Sequence, residues 1–526
     1  MRNHVPGHRN NTPPSSAAGH SGSSSSPGVN SPSLPISKQL EANIHALGET
    51  LANCGDLIIL PWSYGPQLEQ KAVSVYFETL VRDQRLNDVK EALQDMASHE
   101  IGPAAGISAD DVMRFFSKHG VTSHPVELME TIGQSVAGML DGKVVIFWDG
   151  WDKATGYVAL DVAQRQVGEP VNEPVVQGPH NSTIEDLGSN IGMIRGLLKS
   201  PGLKFEYRTA GAESRRNFAF GYLDGAVNPE TLREFKRRID QIDQEEIMET
   251  SYLEEWLGEA RYSPFPQVRY TERTDTAIAA LLDGKIIAMV NGTPSVLICP
   301  GNFLEFFMSS EDYYHRSIFS SLIRLLRLVS FVIALLLPST YIALSTFHSE
   351  MIPTVLLLAI LNTREGIPFP AFLEALIMEF FFELLREAGI RLPRPIGSAV
   401  SIVGALVIGE AAIQSKIASP VMVIVVALTG IASFSLPQYN MAIAVRILRF
   451  PYMVLAATFG GLGIMFGFIL TLLHLTALRS IGQPYLAPAA PLDLKQWRDI
   501  FWIVPRKLLL HAPRNRHLHK KTAGRK

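Results

Sequence analysis

The sequence predicts an α/β fold joined to a membrane α fold, with duplicated cytoplasmic α/β subdomains followed by a polytopic α-helical membrane domain. Three observations carry this reading. The chain is 47% hydrophobic with a net charge of −3, yet its apolar residues concentrate after Leu322. Between residues 38 and 300, one order of helix, strand and turn signals is written twice. Two apolar runs, Ser398 to Gly409 and Val421 to Phe434, flank the polar turn Gln414 to Pro420 and read as a membrane hairpin, since about 20 apolar residues cross the hydrocarbon layer.

Taken in order, residues 1–37 are rich in Ser, Pro and Gly and hold too little apolar surface to offset the entropy of ordering, so this head is expected to be disordered. It lacks the apolar core of a secretory signal, which places the following region in the cytoplasm. Cys54 and Cys299 are too few for a disulfide framework or a cysteine-rich metal site. The first subdomain, 38–165, opens on Leu40 to Leu47 with helical spacing and passes Gly55 into the strand Leu57 to Leu60. Val73 to Phe77 reads as a second strand, and Glu78 to Asp83 turns the chain into a helix from Leu86 to about Ala97. His124 to Leu140 reads as another helix, closed by Asp141-Gly142, and Lys143 to Trp148 as a strand ending at Asp149-Gly150.

After a Pro- and Gly-containing linker, 166–183, the order recurs in a second subdomain, 184–315. Leu187-Gly-Ser-Asn-Ile-Gly-Met-Ile194 matches Leu40 to Leu47, and Phe218 to Gly225 stands where Ser74 to Thr79 stood. Leu232 to Lys236 aligns with Leu86 to Lys90, and Asp283 to Gly292 with Asp141 to Gly150. Four blocks in one order at a nearly constant offset favour an internal repeat over coincidence.

This half offers no phosphate-binding glycine loop, metal-binding His-Glu-x-x-His helix or nucleophile elbow. The Asp-Gly pairs at 141, 149 and 283 fit turns better than acid–base roles, because such turns need the backbone angles that glycine adopts. His99, His119 and His124 are scattered and read as surface residues. Asn228-Pro-Glu230 reads as a helix N-cap with proline in the first turn. An enzyme is the least expected function, and no cofactor, metal or nucleic-acid partner is expected.

The membrane domain, 316–480, begins with a span from about Ile323 to Phe347, whose basic residues Arg324 and Arg327 favour a cytoplasmic start. Ile352 to Leu361 is apolar but short, a candidate re-entrant or broken helix. The segment Pro370 to Gly397 carries Glu374, Glu379, Glu383, Arg386 and Glu387 among Phe, Leu, Ile and Met, and Glu410 lies inside the hairpin with Gln414 at its turn. Met441 to Arg449 reads as a separate interfacial stretch, and Tyr452 to Leu478 as the last span, its glycines at 460, 461, 463 and 467 permitting close helix contact. The basic tail, 481–526, is expected in the cytoplasm, which requires an even number of crossings, four or six.

Ionisable groups at membrane depth are costly, so these residues are where function is sought. Glu379, Glu383 and Glu387 share a helix face, with Arg386 in reach of Glu383. Two readings stand. Either the acids are solvated at the interface or paired inside the bundle, or the face lines an aqueous path and several copies bring carboxylates into rings that favour cations. Glu410 is a similar candidate, its alternative being a packing partner for Gln414.

Several long motifs point further. Pro368-Phe-Pro-Ala-Phe-Leu-Glu-Ala-Leu-Ile-Met-Glu379, Leu384 to Gly397, Ile402 to Gly409, Ser263-Pro-Phe-Pro-Gln-Val-Arg-Tyr-Thr-Glu-Arg273, Ser310 to Tyr314, Thr346 to Pro353 and Leu478 to Pro488 resemble the A-subunit family of bacterial spore germination receptors, the GerA type. The linker departs from the family's usual Arg-Gly-Pro-Arg-Glu-Gly-Phe, reading Gln177-Gly-Pro-His-Asn-Ser-Thr183. The resemblance implies a multi-pass protein of the inner spore membrane that works with a transporter-like B subunit and a lipoprotein C subunit. It also implies a homo-oligomeric ring in membrane lipid that forms a nutrient-gated channel for monovalent cations. A secondary transporter and a non-conducting membrane scaffold or signalling subunit are the alternatives.

Overall fold

In the computed structural model, described for residues 34–64, 70–81, 126–160, 170, 172–242, 245–492 and 503, two antiparallel sheets stand ahead of a helical bundle. The side chains of 394–402 lie outside the description, as do the expected helix from Leu86, the three histidines at 99, 119 and 124, and the basic end of the tail.

The first sheet is built from β1 (Leu57–Tyr64), β2 (Gln70–Phe77), β3 (Glu127–Met129), β4 (Lys143–Trp148) and β5 (Ala154–Val158), in the order β1-β2-β4-β5-β3. Strand alternation sends Val73, Val75, Phe77, Val145 and Phe147 to one face, where α1 (Leu40–Thr50) and α2 (Ile132–Leu140) cover them. Ala72, Tyr76, Val144, Ile146 and Trp148 take the other face. The stretch expected as one helix from His124 instead gives β3 and then α2. Thr131 forms a capping box with Gln134 at the start of α2, and Glu127 to Met129 are drawn into pairing with β5.

The second sheet comprises β6 (Leu203–Ala210), β7 (Arg216–Leu223), β8 (Arg269–Thr271), β9 (Ile286–Val290) and β10 (Val296–Cys299), in the order β6-β7-β9-β10-β8. Position for position this is the order of the first sheet, and the registers agree: Val73 pairs with Phe147 as Ala219 pairs with Met289. The helices ahead of each sheet are anchored alike. Asn43 of α1 brackets the backbone N–H and carbonyl of Ser37, and Asn190 of α3 (Leu187–Leu197) does the same for Ile184. Gly142 and Gly284, with φ of 79° at both, close the expected Asp-Gly turns. Asn228 caps α4 (Pro229–Ile239) as expected, accepting from the Glu230 N–H at 2.9 Å. With α5 (Thr250–Leu257), α4 covers one face of the second sheet, while α3 and α6 (Thr274–Leu282) cover the other.

The two sheets meet across a buried ion pair. Arg195 of α3 donates from Nε to Asp56 Oδ2 at 2.6 Å and from Nη2 to Asp56 Oδ1 at 2.8 Å, its guanidinium 4.1 Å from the Phe77 ring centroid. Thr79 adds a hydroxyl bond to the same carboxylate.

The bundle starts with α7 (Ser317–Thr346), which runs through Pro338 without ending. The short α8 (Thr354–Arg364) follows, then α9 (Ala371–Arg391), α10 (Arg394–Gln414), α11 (Pro420–Phe434) and α12 (Tyr439–Ala477). By length and composition α7 and α12 are apolar enough to cross a membrane. The backbone of α12 nevertheless leaves the helical region at Gly460, with φ 60° and ψ −137°. Tyr452 and Thr471, 19 residues apart, share a hydroxyl hydrogen bond of 3.0 Å, whereas a straight helix would hold them about 28 Å apart at 1.5 Å per residue. The chain therefore doubles back, and α12 is two antiparallel limbs, 439–459 and 461–477. Glycine at 463 and 467 lets them close up, because a Cβ at 463 would collide with the Leu455 carbonyl and one at 467 would press on Tyr452. His348 Nε2 accepts the Gly461 N–H at 3.2 Å and caps the second limb.

This corrects two expectations. Met441 to Arg449 is not a separate interfacial stretch, since it forms the N-terminal part of the first limb, and the expected last span from Tyr452 is broken in its middle. The bundle holds Arg446 and Arg449 because acidic and carbonyl partners meet them there. Gln414, expected in the hairpin turn, is the last residue of α10.

Candidate functional site

The acids of α9 rise through the bundle, each met by an arginine. Glu374 is fully buried, accepting from Arg364 Nη2 at 3.0 Å and from the Ser419 backbone N–H at 2.9 Å. Glu379, one turn on and also fully buried, accepts from Arg449 Nη1, while Arg449 Nε donates to the Ala334 carbonyl of α7 at 2.9 Å. Among the described residues, Glu379 Oε1 and Arg449 Nη2 are buried without a hydrogen-bond partner. Glu383 accepts from Arg446 Nη1 at 3.1 Å and from Arg386 at 3.3 Å, and Arg386 also donates to Ser433 Oγ at 2.9 Å and lies over the Phe434 ring. Glu387 is exposed and pairs with Arg391.

Because Arg446 and Arg449 meet Glu383 and Glu379 in reverse order, α9 and the first limb of α12 run antiparallel. The spacing of both pairs was legible in the sequence. Two arginines three apart and two acids four apart each mark one helix face, but that these faces meet is decided by the packing of the two helices. The face of Glu379, Glu383 and Glu387 is therefore not one solvated stripe; exposure of the side chain climbs from 0% to 29% to 59% along it. Glu410 stands apart. It is exposed on α10, accepts from Gln414 Nε2 at 2.9 Å, and has the exposed apolar residues Leu406, Val407 and Ile413 around it.

Residues that sequence reasoning did not single out tie the bundle to the sheets. Asp312, in a short 3-10 turn capped by Ser309, is nearly fully buried and holds both Arg324 and Arg327 of α7, at 3.0 and 2.8 Å. The linker lies against the same junction. Glu173 accepts from Gln438 Nε2, just ahead of α12, at 2.9 Å and from Thr271 Oγ1 at 2.5 Å, while the Val176 N–H donates to Glu311 at 3.2 Å. Nearby, Arg273 donates to the Pro179 carbonyl and to Asp275, which also accepts from the Tyr314 hydroxyl. Burial by itself would raise the Asp275 carboxyl, but the Arg273 and Tyr314 bonds bring it below the ordinary carboxylate range. After α12, the strand pair β11 (Arg479–Ser480) and β12 (Gln483–Pro484) returns to the second sheet's domain, where Ser480 Oγ donates to the Gln267 carbonyl at 2.6 Å. Both ends of the bundle are thus held at the soluble side. Among the described residues no group of acidic, histidine and cysteine side chains has the arrangement of a metal site.

Residues 45–515 match the family described as Bacillus/Clostridium GerA spore germination protein. The chain belongs to this family. It is 39% identical over 470 residues to spore germination protein KA of Bacillus subtilis (strain 168), covering 89% of this chain and 85% of that relative. It is 38% identical over 471 residues to the uncharacterized membrane protein YfkQ of the same organism, covering 90% of both. Against the crystal structure of the N-terminal domain of the A subunit of the Bacillus megaterium spore germinant receptor GerK3, the likeness covers 51% of this chain and 97% of that one, at 23% identity and a TM-score of 0.40. Family membership supports a role in spore germination.

Proposed function

We propose that this chain is the A subunit of a nutrient receptor of bacterial spores, a multi-pass protein of the inner spore membrane whose copies assemble into a nutrient-gated cation channel. In this reading it acts with a transporter-like B subunit and a lipoprotein C subunit, and is not an enzyme. The matched strand orders of its two sheets support reading the soluble half as a duplication. Six crossings fit the bundle best: α7, α9, α10, α11 and the two limbs of α12, with both ends on the cytoplasmic side.

One observation carries the channel. Glu410 and Gln414 project from an otherwise apolar exposed face, where a carboxylate in lipid is costly. Copies arranged about an axis would turn that face inward and ring the path with acid groups that attract cations. The neutralised pairs at Glu374, Glu379 and Glu383 act as bundle fasteners, which favours a non-conducting scaffold as the second reading.

The test is monovalent cation efflux from vesicles carrying the receptor at matched protein levels. Glu410→Gln is expected to change flux or ion preference with assembly intact, whereas flux unaffected by Glu410→Gln would move the protein to the scaffold reading.

A further inference from the structure

We propose that the loop Arg261–Tyr262, together with Arg479, is a docking surface for anionic phospholipid headgroups, which holds the second sheet's domain flat against the membrane. This rests on the reading of the bundle as membrane-spanning. The loop's position is fixed by the last turn of α12. Ser263 Oγ and His474 Nε2 lie 2.8 Å apart, and Phe265 sits 6.1 Å from the His474 ring and packs in one cluster with Leu475 and Leu478. One turn earlier on the same limb, Leu470 and Leu473 are 62% and 60% exposed, the face a lipid chain would cover. The edge of the hydrocarbon layer therefore falls at the level of His474, and the loop stands beside it.

At that level Tyr262 is completely exposed. A tyrosine fully in water on a loop has nothing to gain from its ring, but at a headgroup layer the ring is buried while the hydroxyl stays wet. Arg261 is exposed next to it. Arg479 is exposed too, and its neighbour Ser480 bridges to Gly258 at the start of the same loop, which brings the strand carrying a second guanidinium to the loop. Lysine and arginine near such a surface are attracted to anionic lipid and released by salt.

Cys54 and Cys299 are buried, which allows one reactive cysteine to be placed at will. The full chain is reconstituted in phosphatidylcholine vesicles with and without phosphatidylglycerol, carrying an environment-sensitive fluorophore at Tyr262→Cys, Leu470→Cys or Leu128→Cys. Spin-labelled lipids then report depth. The expected result is quenching of position 470 by the deep probe and of position 262 by the headgroup-level probe. The second signal should strengthen with phosphatidylglycerol and fall back to its phosphatidylcholine level in high salt or on adding Arg261→Glu and Arg479→Glu, while position 128 stays unquenched; a position-262 signal indifferent to phosphatidylglycerol overturns the docking surface. If position 470 is quenched and position 262 behaves like 128, the docking surface is overturned and the membrane reading survives. If position 470 is not quenched, the membrane reading itself fails and takes the docking surface with it.

Discussion

Two buried arginine–carboxylate pairs hold this protein together, and they are finished to different degrees. Between the sheets, Arg195 grips Asp56 through two bonds, Thr79 supplies a third to the carboxylate, and Phe77 and Phe205 sandwich the guanidinium. Within the bundle, Arg449 reaches Glu379 through one nitrogen and spends another on the Ala334 carbonyl, leaving Glu379 Oε1 and Arg449 Nη2 without partners among the described residues. A saturated pair fixes one arrangement of its two elements. An unsaturated one leaves donor and acceptor capacity that another arrangement of the helices could use. The two pairs therefore differ in how fully their hydrogen-bonding capacity is used.

The sharpest way to break this contrast is to remove the charges. Arg195→Ala and Arg449→Ala should each cost about 3–5 kcal/mol in denaturant unfolding of the full chain in detergent, because each leaves a buried carboxylate without its countercharge. Replacing both partners separates them. Glu379→Met with Arg449→Met should be nearly neutral, whereas Asp56→Leu with Arg195→Leu should stay destabilised by about 1 kcal/mol, since the half-buried Thr79 hydroxyl loses its acceptor. Equal outcomes for the two double variants would erase the distinction. Next in size, Gly460→Ala should cost about 1–3 kcal/mol, because its backbone angles belong to glycine and Phe347 packs where the methyl would go. It should also open the Tyr452–Thr471 contact, seen as loss of a cysteine crosslink engineered between the limbs.

On the soluble side, Thr131→Ala should cost about 1 kcal/mol through its capping box, read as a lowered unfolding midpoint. A pH scan gives a finer test. Hydrogen bonds from Arg237, joined by Arg238, hold the Glu234 carboxyl down to about 2 against an ordinary value of 4.5. A depressed carboxylate stabilises the fold above its unfolded value and loses that contribution as pH falls towards its folded value. Glu234→Gln should therefore flatten the stability curve between pH 4.5 and about 2, lowering stability near neutrality and converging with the unsubstituted protein below about pH 2. Smallest of all, Glu387→Gln should shift stability by under about 0.5 kcal/mol, because its pair with Arg391 is exposed. A larger shift would mean that this end of α9 is covered in the assembled protein.

Local chemistry made much of this legible in the sequence. The Asp-Gly turns, the Asn228 cap, the helix from Leu40 and the apolar half all follow from near-neighbour spacing, and each is found in the structure; of the recurring blocks, the one at Leu86 to Lys90 lies outside the described residues. So were the chemistry-bearing residues of α9, because a carboxylate in an apolar helix is conspicuous wherever it points. Partner choice was not legible. Arg446 and Arg449 looked like an interfacial stripe because nothing along the chain says that α9, some 60 residues earlier, returns antiparallel to receive them. The same holds for the reversal at Gly460, where four glycines signalled closeness but not which helix would be close. The sequence by itself determined which segments fold and which groups need partners, since propensity and desolvation act locally. Only the tertiary structure decided which partner each group took, because that depends on packing between segments far apart in the chain.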